Sequence, residues 1–187
     1  MDEPDIDPAL REKVERLNAA FEAFHENVES IDPDFFRRDA PDDPGTPLTA
    51  DEIDRICDGY FEYHEYLARR QIRAAPKDLS DISDQVMDLL EHNPERLWPL
   101  LLELIERAPT EEVRGFVAAG PLEDLVRWYP ERFIDRVEEA TIRSRNFHSA
   151  MRGIWGWESL PDEARERLMA VVTPEWDDLA DKRAALP

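Results

Sequence analysis

The chain has 187 residues, of which 42% are hydrophobic and 36% are charged, and its formal net charge at pH 7 is −21. This length and hydrophobic content suit a folded protein with a sizeable core, whereas the charge disfavours nucleic acids and anionic membranes, whose phosphates it repels. A single cysteine excludes an internal disulfide framework. The N-terminus does not resemble a signal peptide, and no apolar run approaches the ~20 residues of a membrane span, so we expect a cytoplasmic protein.

The N-terminal part is predicted to be an acidic helical segment over residues 1–39. Its main element is a helix over residues 8–29, in which apolar side chains recur at spacings of three and four. The stretch APDDPGTP, rich in proline, aspartate and glycine, then predicts a linker over residues 40–48. The remainder, residues 49–187, is predicted to form a helical-repeat-like domain.

The first helix of this domain is predicted to begin with a capping box, in which Thr49 and Glu52 bind each other's backbone amides. Its apolar positions continue to about Arg73. The next helix follows Pro76 and ends near His92. Helices of this length joined by short turns are typical of antiparallel helix pairs.

Further along the chain, proline or threonine marks the start of several helices. Pro94 is predicted at the first helical position, where its missing N–H costs nothing, and Thr110 is predicted to cap the helix after it. On that capped helix we expect the side chain of Phe116 to point inward. Later helices are predicted to begin at Pro130, Ser144, Pro161 and Pro174.

The stretch AAGPLEDL is a candidate functional motif because it places two acids after a Gly-Pro pair. Gly120 is expected to end one helix in the left-handed conformation, and Pro121 to begin the next. Glu123 then falls at the third helical position, where its carboxylate can bind free amides. Glu123 and Asp124 are also candidate binding residues, since together they could present an exposed acidic corner to a partner.

The Asp-Leu and Pro-Glu-Arg pattern of this region also occurs 36 residues earlier. Residues 88–107 align with residues 124–143, and a looser third start, LPDEARERL, occupies residues 160–168. Such a period is typical of stacked helix pairs. We therefore predict an all-α fold, a compact HEAT-like or α-solenoid-like stack of antiparallel pairs with an extra N-terminal helix.

Several motifs of the chain resemble an uncharacterised bacterial family of helical proteins, catalogued as a domain of unknown function. The motifs are YFEYHEYL, LLEHNPERLWPLLLELIERAP, AAGPLEDLV, RFIDRVEEA and FHSAMRGIWGW. Among them AAGPLEDLV is the most specific, and the resemblance covers roughly residues 49–172. It implies a helical fold and brings no activity, cofactor or catalytic residue.

The stretch IRSRNFHSAMRGIWGW is a second candidate binding surface. Arg145, His148 and Arg152 have the spacing of one helical face, and Trp155 and Trp157 follow at its end. Arg and Trp are enriched at binding hot spots, which favours a docking surface or a small anionic pocket. Alternatively, the arginines pair with neighbouring acids and the tryptophans fill the core.

No sequence motif supports catalysis, a cofactor or a metal site. The chain lacks a nucleophile elbow and a glycine-rich phosphate loop. His64 and Cys57 share a helical face, but the aromatic residues between them mark that face as core. We therefore assign no catalytic residue, no metal ligand and no cofactor.

The leading hypothesis is a non-enzymatic interaction module that binds another protein, which we expect to be basic, in a bacterial defence or immunity-type role. One alternative is an acidic nucleic-acid mimic, in which the 18 acids before residue 60 imitate phosphate groups and inhibit a DNA- or RNA-binding protein. Another is an enzyme whose site forms only in the tertiary structure, around Glu123, Arg145, His148 and Arg152.

Overall fold

The computed structural model describes Arg38, residues 45–70 and residues 77–186. The α-helices of this part are α1 (Ala50–Arg70), α2 (Lys77–His92), α3 (Pro94–Arg107), α4 (Glu111–Val117), α5 (Glu123–Trp128), α6 (Pro130–Arg143), α7 (Arg145–Met151), α8 (Asp162–Val172) and α9 (Ala180–Ala185). The described residues form no β-strand, so the predicted all-α class is confirmed. Within the same residues, no helix combines the length and the apolar character needed to span a membrane.

The predicted N-terminal helix over residues 8–29, like most of the linker over 40–48, lies outside the described residues. Arg38 is the one described residue of the N-terminal segment. Its backbone N–H donates to the carbonyl of Trp128 at 2.8 Å, and its guanidinium lies 3.9 Å from the centroid of the Trp128 ring. The guanidinium also pairs with Glu91 at 2.6 Å. Arg38 therefore contacts the ends of both α2 and α5.

The helix starts follow the capping and proline signals of the sequence. The Thr49 N–H donates to Glu52 Oε2 at 2.8 Å, and the Glu52 N–H donates to Thr49 Oγ1 at 3.3 Å, which confirms the capping box. The hydroxyl oxygen of Thr110 caps α4 in the same way. Helices α3 and α6 instead begin with a proline. Helix α1 was expected to reach Arg73, and residues 71–76 lie outside the described part.

The hydrophobic core is continuous from α1 to α8. Helix α1 packs against α2, α3 and α4, while α6 packs against α7 and α8. The close approach of α1 to α2 depends on Gly59, because a Cβ at this position would lie 2.9 Å from Ile82 Cγ1. The largest fully buried side chains are Phe133, Phe147, Ile56, Leu90, Leu97, Leu100, Leu101, Leu104, Ile105, Leu122, Leu125 and Met151.

Two aromatic side chains differ from the expected inward orientation. Phe116 is 37% exposed and stacks on the His64 ring at a centroid distance of 4.7 Å, so its predicted burial is wrong. Trp155 is 72% exposed, so it does not fill the core. The physical reason is that α7 already ends at Met151, and the loop after it carries Trp155 away from the helix face.

The backbone at Gly120 also differs from the prediction. Gly120 has φ −121° and ψ −109°, which is neither helical nor left-handed, so the backbone is kinked at this residue between α4 and α5. A proline ring in an α-helix collides with the carbonyl four residues earlier. The kink at Gly120 relieves this collision for Pro121, so the chain bends here without a left-handed cap.

The aligned segments adopt similar local structure at their prolines. Asn93 has φ −147° and ψ 59°, and Tyr129 has φ −131° and ψ 48°, immediately before helices of 14 residues each. The preceding helices differ, because α2 is continuous over 16 residues whereas α5 has six and follows the kink at Gly120. The HEAT-like, α-solenoid-like arrangement stays a prediction.

Candidate functional site

The carboxylate of Glu123 holds the loop after α7. Its Oε2 accepts a hydrogen bond from the Trp155 backbone N–H at 3.0 Å, and its Oε1 lies 3.4 Å from Arg127 Nη1. The loop passes so close that a Cβ at Gly156 would lie 2.8 Å from Glu123 Oε1. The Glu123 side chain is only 12% exposed. Its predicted place in an exposed acidic corner is therefore wrong.

Asp124 is also partly buried, against the same arginine. Burial raises the pKa of the Asp124 carboxyl, since it disfavours the charged form, while Arg127 opposes this shift. The carboxylate lies 3.8 Å from Arg127 Nη1. Glu123 thus joins α5 to the loop after α7, and Asp124 lies next to it against Arg127. Capping logic alone does not predict this structural role.

The structure brings together three residues of the second candidate surface. Arg145, His148 and Arg152 line one cleft beside α7, as the helical spacing predicts. The cleft has a volume of about 300 Å³. We call it the α7 cleft, and its lining residues are Arg145, His148, Ser149, Arg152, Glu175 and Trp176.

The walls of the α7 cleft are joined through a buried histidine. His148 is 3% exposed, and its Nε2 donates to the carbonyl of Pro174 at 3.1 Å. The His148 ring meets the Trp176 ring edge-on at 5.7 Å. On the outer side, Arg152 Nη1 lies 3.3 Å from Glu175 Oε1. The cleft therefore presents arginine, hydroxyl and indole groups on a fixed frame.

The remaining predicted residues do not line this cleft. Trp155 points into solvent on its loop, and Trp157 is half-buried against the core. Glu123 holds that loop and also lies outside the cleft lining. Three of the four groups that the enzyme hypothesis names line the cleft, and Glu123 does not. The carboxylate that lines the cleft belongs to Glu175.

A second concave surface, which the sequence analysis missed, lies between α6 and α8. We call it the α6/α8 groove; its volume is about 240 Å³, and it is lined by Pro130, Glu131, Ile134, Asp135, Pro161, Glu163, Ala164 and Arg167. Its floor includes Ile134 on α6 and Ala164 on α8, and both side chains are buried. The signal was present in the sequence, because each of the two helices begins at or directly after a proline that an acid follows.

The α6/α8 groove has an apolar floor and an acidic rim. Glu131, Asp135 and Glu163 are exposed along it. Its arginine, Arg167, is already engaged, with Nη2 at 2.6 Å from both Asp135 Oδ1 and Glu138 Oε2. The groove therefore carries a net negative charge at neutral pH, which suits a cationic group.

The two residues weighed as metal ligands have structural environments. Burial raises the pKa of the Cys57 thiol to about 11, so it stays protonated and unreactive at neutral pH. Burial lowers the pKa of His64 to about 4. Within the described part of the chain, neither ring nitrogen of His64 has a hydrogen-bond partner, and Tyr60, Tyr63 and Phe116 surround the ring. Among the residues with described positions, no three potential ligands cluster in a way that could hold a metal ion.

Comparison with known families matches residues 71–175 to a family of unknown function, DUF6869. The match covers more than half of the chain. The protein belongs to this family. Its AAGPLEDL motif, the α6/α8 groove and all helices from α2 to α8 lie within the matched residues, whereas α1 precedes them and Trp176 of the α7 cleft follows them. The predicted resemblance to a domain of unknown function is thus confirmed. No curated protein and no solved structure matches the chain.

Proposed function

We propose that this protein is a non-enzymatic interaction module of the bacterial cytoplasm, and that it binds a basic protein through the α6/α8 groove. The observation that carries the proposal is the combination of an apolar floor and an acidic rim in one concave surface. A lysine or arginine side chain matches both features. Its aliphatic stem packs on apolar groups while its charged head reaches carboxylates.

The rest of the chain supports the same partner chemistry. The sequence contains 44 acids and 23 bases, so a basic protein is attracted from any direction before it reaches the groove. Complementary charge of this kind raises association rates and rejects acidic partners. Exposed Trp155, fixed by Glu123, is a second candidate contact, because an exposed rigid indole buries a large area on binding.

Within this class, an immunity-type role fits an acidic, helical protein that neutralises a basic toxin or effector. Such a protein needs no catalytic group, since covering the partner's functional surface is sufficient. A toxin or effector gene adjacent to the gene for this protein would support this role. The nucleic-acid mimic stays an alternative, and it predicts that deletion of residues 1–47 abolishes inhibition of a DNA- or RNA-binding target.

The test uses the full-length chain as bait in native extract, followed by titration of the purified partner. The groove variant Glu131→Gln/Glu163→Gln removes two rim charges. The control variant Asp84→Asn/Glu112→Gln removes two exposed charges on α2 and α4, outside the groove lining. We expect the groove variant to bind about tenfold more weakly, because each rim charge contributes on the order of 0.7 kcal/mol.

The control variant should stay within about twofold of the wild type, since distant exposed charges are screened at physiological salt. Affinity should also fall as salt is added. Recovery of no specific basic protein would count against the interaction module. Equal weakening by both variants would show that net charge, and not the groove, determines binding.

A further inference from the structure

We propose that the α7 cleft is a binding site for the phosphate group of a small molecule. The cleft is separate from the α6/α8 groove, so this inference goes beyond the proposed function and does not depend on it. Two arginines and one hydroxyl line the cleft, and contacts with the surrounding residues hold them in place.

Arg145 supplies the first cationic group. It is exposed, and within the part of the chain that the structure describes it makes no ion pair or side-chain hydrogen bond. This is unusual in a chain with almost two acids for every base, where exposed arginines such as Arg107, Arg143 and Arg165 are paired with carboxylates. The guanidinium can therefore receive an anion without giving up an existing partner.

Arg152 supplies the second cationic group, and its existing partner is weakly held. Arg152 Nη1 lies 3.3 and 3.4 Å from the two Glu175 oxygens, at the long end of the hydrogen-bond range. The two side chains are 50% and 75% exposed, so solvent screens the pair. A dianion between Arg145 and Arg152 can displace the Glu175 carboxylate, which then turns into solvent.

Ser149 and Trp176 complete the lining. The Ser149 hydroxyl has one long contact, at 3.4 Å to Glu111 Oε2, and it can donate to a phosphate oxygen instead. The Trp176 ring forms a wall, with the Arg183 guanidinium stacked 4.1 Å from its centroid. Arg183 also donates to the Trp176 carbonyl at 2.8 Å, which fixes the position of this residue.

His148 is a positioning residue. It is buried, and its hydrogen bond to the Pro174 carbonyl ties α7 to the segment that carries Glu175 and Trp176. The distance between the two walls is therefore set before a ligand arrives. Preorganisation of this kind reduces the ordering cost of binding.

The lining favours a phosphate over a carboxylate. Two guanidinium forks and a hydroxyl offer donors to three oxygens, and two positive charges match a dianion better than a monoanion. The volume of about 300 Å³ is at the lower end of ligand pockets, which suits a small molecule.

The test is an NMR titration of the full-length chain, which follows the Trp176 indole N–H and the Ser149 amide. The probes are inorganic phosphate, glycerol phosphate, acetate and chloride at equal ionic strength. We expect saturable shifts with both phosphates and at least about fivefold weaker binding of acetate, because acetate carries one charge and two oxygens. Equal shifts from all four anions would overturn the proposal.

Substitutions make the test specific. Arg145→Gln and Arg152→Gln should each weaken phosphate binding about tenfold, the loss expected for one charge-assisted hydrogen bond. Glu175→Gln should tighten it, because the competing carboxylate is gone. The control is Arg143→Gln, which makes the same charge change two residues away from Arg145 but outside the cleft.

Two outcomes contradict the site as proposed. If Arg143→Gln weakens binding as much as Arg145→Gln, the phosphate responds only to overall charge. If a phosphoserine peptide binds more tightly than glycerol phosphate, the occupant is a phosphorylated protein and not a small molecule. Circular dichroism of each variant establishes that it retains the helical fold.

Discussion

Helices α3 and α6 begin with the same residues, but the glutamates at their starts have different contacts. Each starts with Pro-Glu-Arg, follows a residue of similar backbone conformation and runs for 14 residues. The equivalent glutamates, Glu95 and Glu131, have different neighbours. Glu95 bridges to α6 through Arg132 and Arg136, both at 2.7 Å, whereas Glu131 lines the α6/α8 groove.

The difference follows from the spacing of the three starts. The first two are 36 residues apart, but the third, at Pro161, comes 31 residues after the second. On α8, Arg167 therefore pairs with Asp135 and Glu138, one to two turns beyond Glu131. The starts of α6 and α8 instead line the α6/α8 groove, with Glu131 and Glu163 on its rim. A change in repeat spacing thus converts a closed helix junction into an open groove.

The largest expected effect is on the free energy of unfolding, at equivalent core positions of α3 and α6. Phe133→Ala should destabilise the protein by about 4 kcal/mol and Leu97→Ala by about 3 kcal/mol, because both side chains are fully buried and each substitution leaves a cavity. Phe133 also contacts the Trp98 and Tyr129 rings. Urea unfolding measures both values. Losses below about 1 kcal/mol would show that this junction is not part of one cooperative core.

Acidic pH should lower the stability of the contact between His64 on α1 and Phe116 on α4. This contact lies outside the two aligned segments. The folded-state pKa of His64 is about 4, below the ordinary unfolded value of about 6.5. The unfolded chain therefore binds the extra proton more readily, and the free energy of unfolding falls as pH decreases from about 6.5 to about 4. The measurement is urea unfolding of the wild type and His64→Phe across this range.

His64→Phe should remove this part of the pH dependence, because phenylalanine keeps the aromatic packing and does not titrate. The matched control is His92→Gln, since the His92 side chain is exposed. It should leave the dependence as in the wild type. An unchanged pH slope in His64→Phe would show that the ring accepts its proton without leaving the aromatic cluster.

The smallest expected effect distinguishes Glu95 from Glu131 by their contributions to the free energy of unfolding. Partial burial alone would raise the pKa of Glu95, but hydrogen bonds and charge from Arg132 and Arg136 outweigh it and lower the pKa. Its stabilising contribution is therefore present above the unfolded pKa of about 4.3 and lost as pH falls through the folded value. At pH 7, Glu95→Gln should cost about 1 kcal/mol, and the difference should shrink as pH falls below about 4 and vanish only below the folded-state pKa of Glu95.

Glu131→Gln is the control for this comparison. It should change the free energy of unfolding by less than about 0.5 kcal/mol at every pH, as expected for an exposed side chain on a groove rim. Equal costs for Glu95→Gln and Glu131→Gln at pH 7 would contradict the distinction between a closed junction and an open groove.

Much of the fold was predictable from the sequence, because capping residues and prolines determine where a helix begins through contacts with their immediate neighbours in the chain. The capping box at Thr49 and the proline starts of α3 and α6 need only a few neighbouring residues. The bend at Gly120 was not predictable in the same way. Gly-Pro is compatible with a left-handed cap or with a kink at a non-helical glycine, and the choice depends on how α4 and α5 pack in the whole molecule.

The candidate site was predicted only in part, for a related reason. Helical spacing was enough to place Arg145, His148 and Arg152 on one cleft. It did not identify Glu175 and Trp176, which approach from a segment more than 20 residues later. The α6/α8 groove was missed because its two walls are also distant in sequence.

Helix α1 precedes the residues that define the family, yet it belongs to the same core. Ile56, Cys57 and Tyr60 are buried, and Gly59 brings the α1 backbone against Ile82 of α2. A relative consisting of the matched segment alone would leave that apolar face of α2 and α3 in water. Another helix or a second polypeptide would have to cover it. The segment that matches the family and the part of the chain that shares one hydrophobic core therefore have different boundaries in this protein.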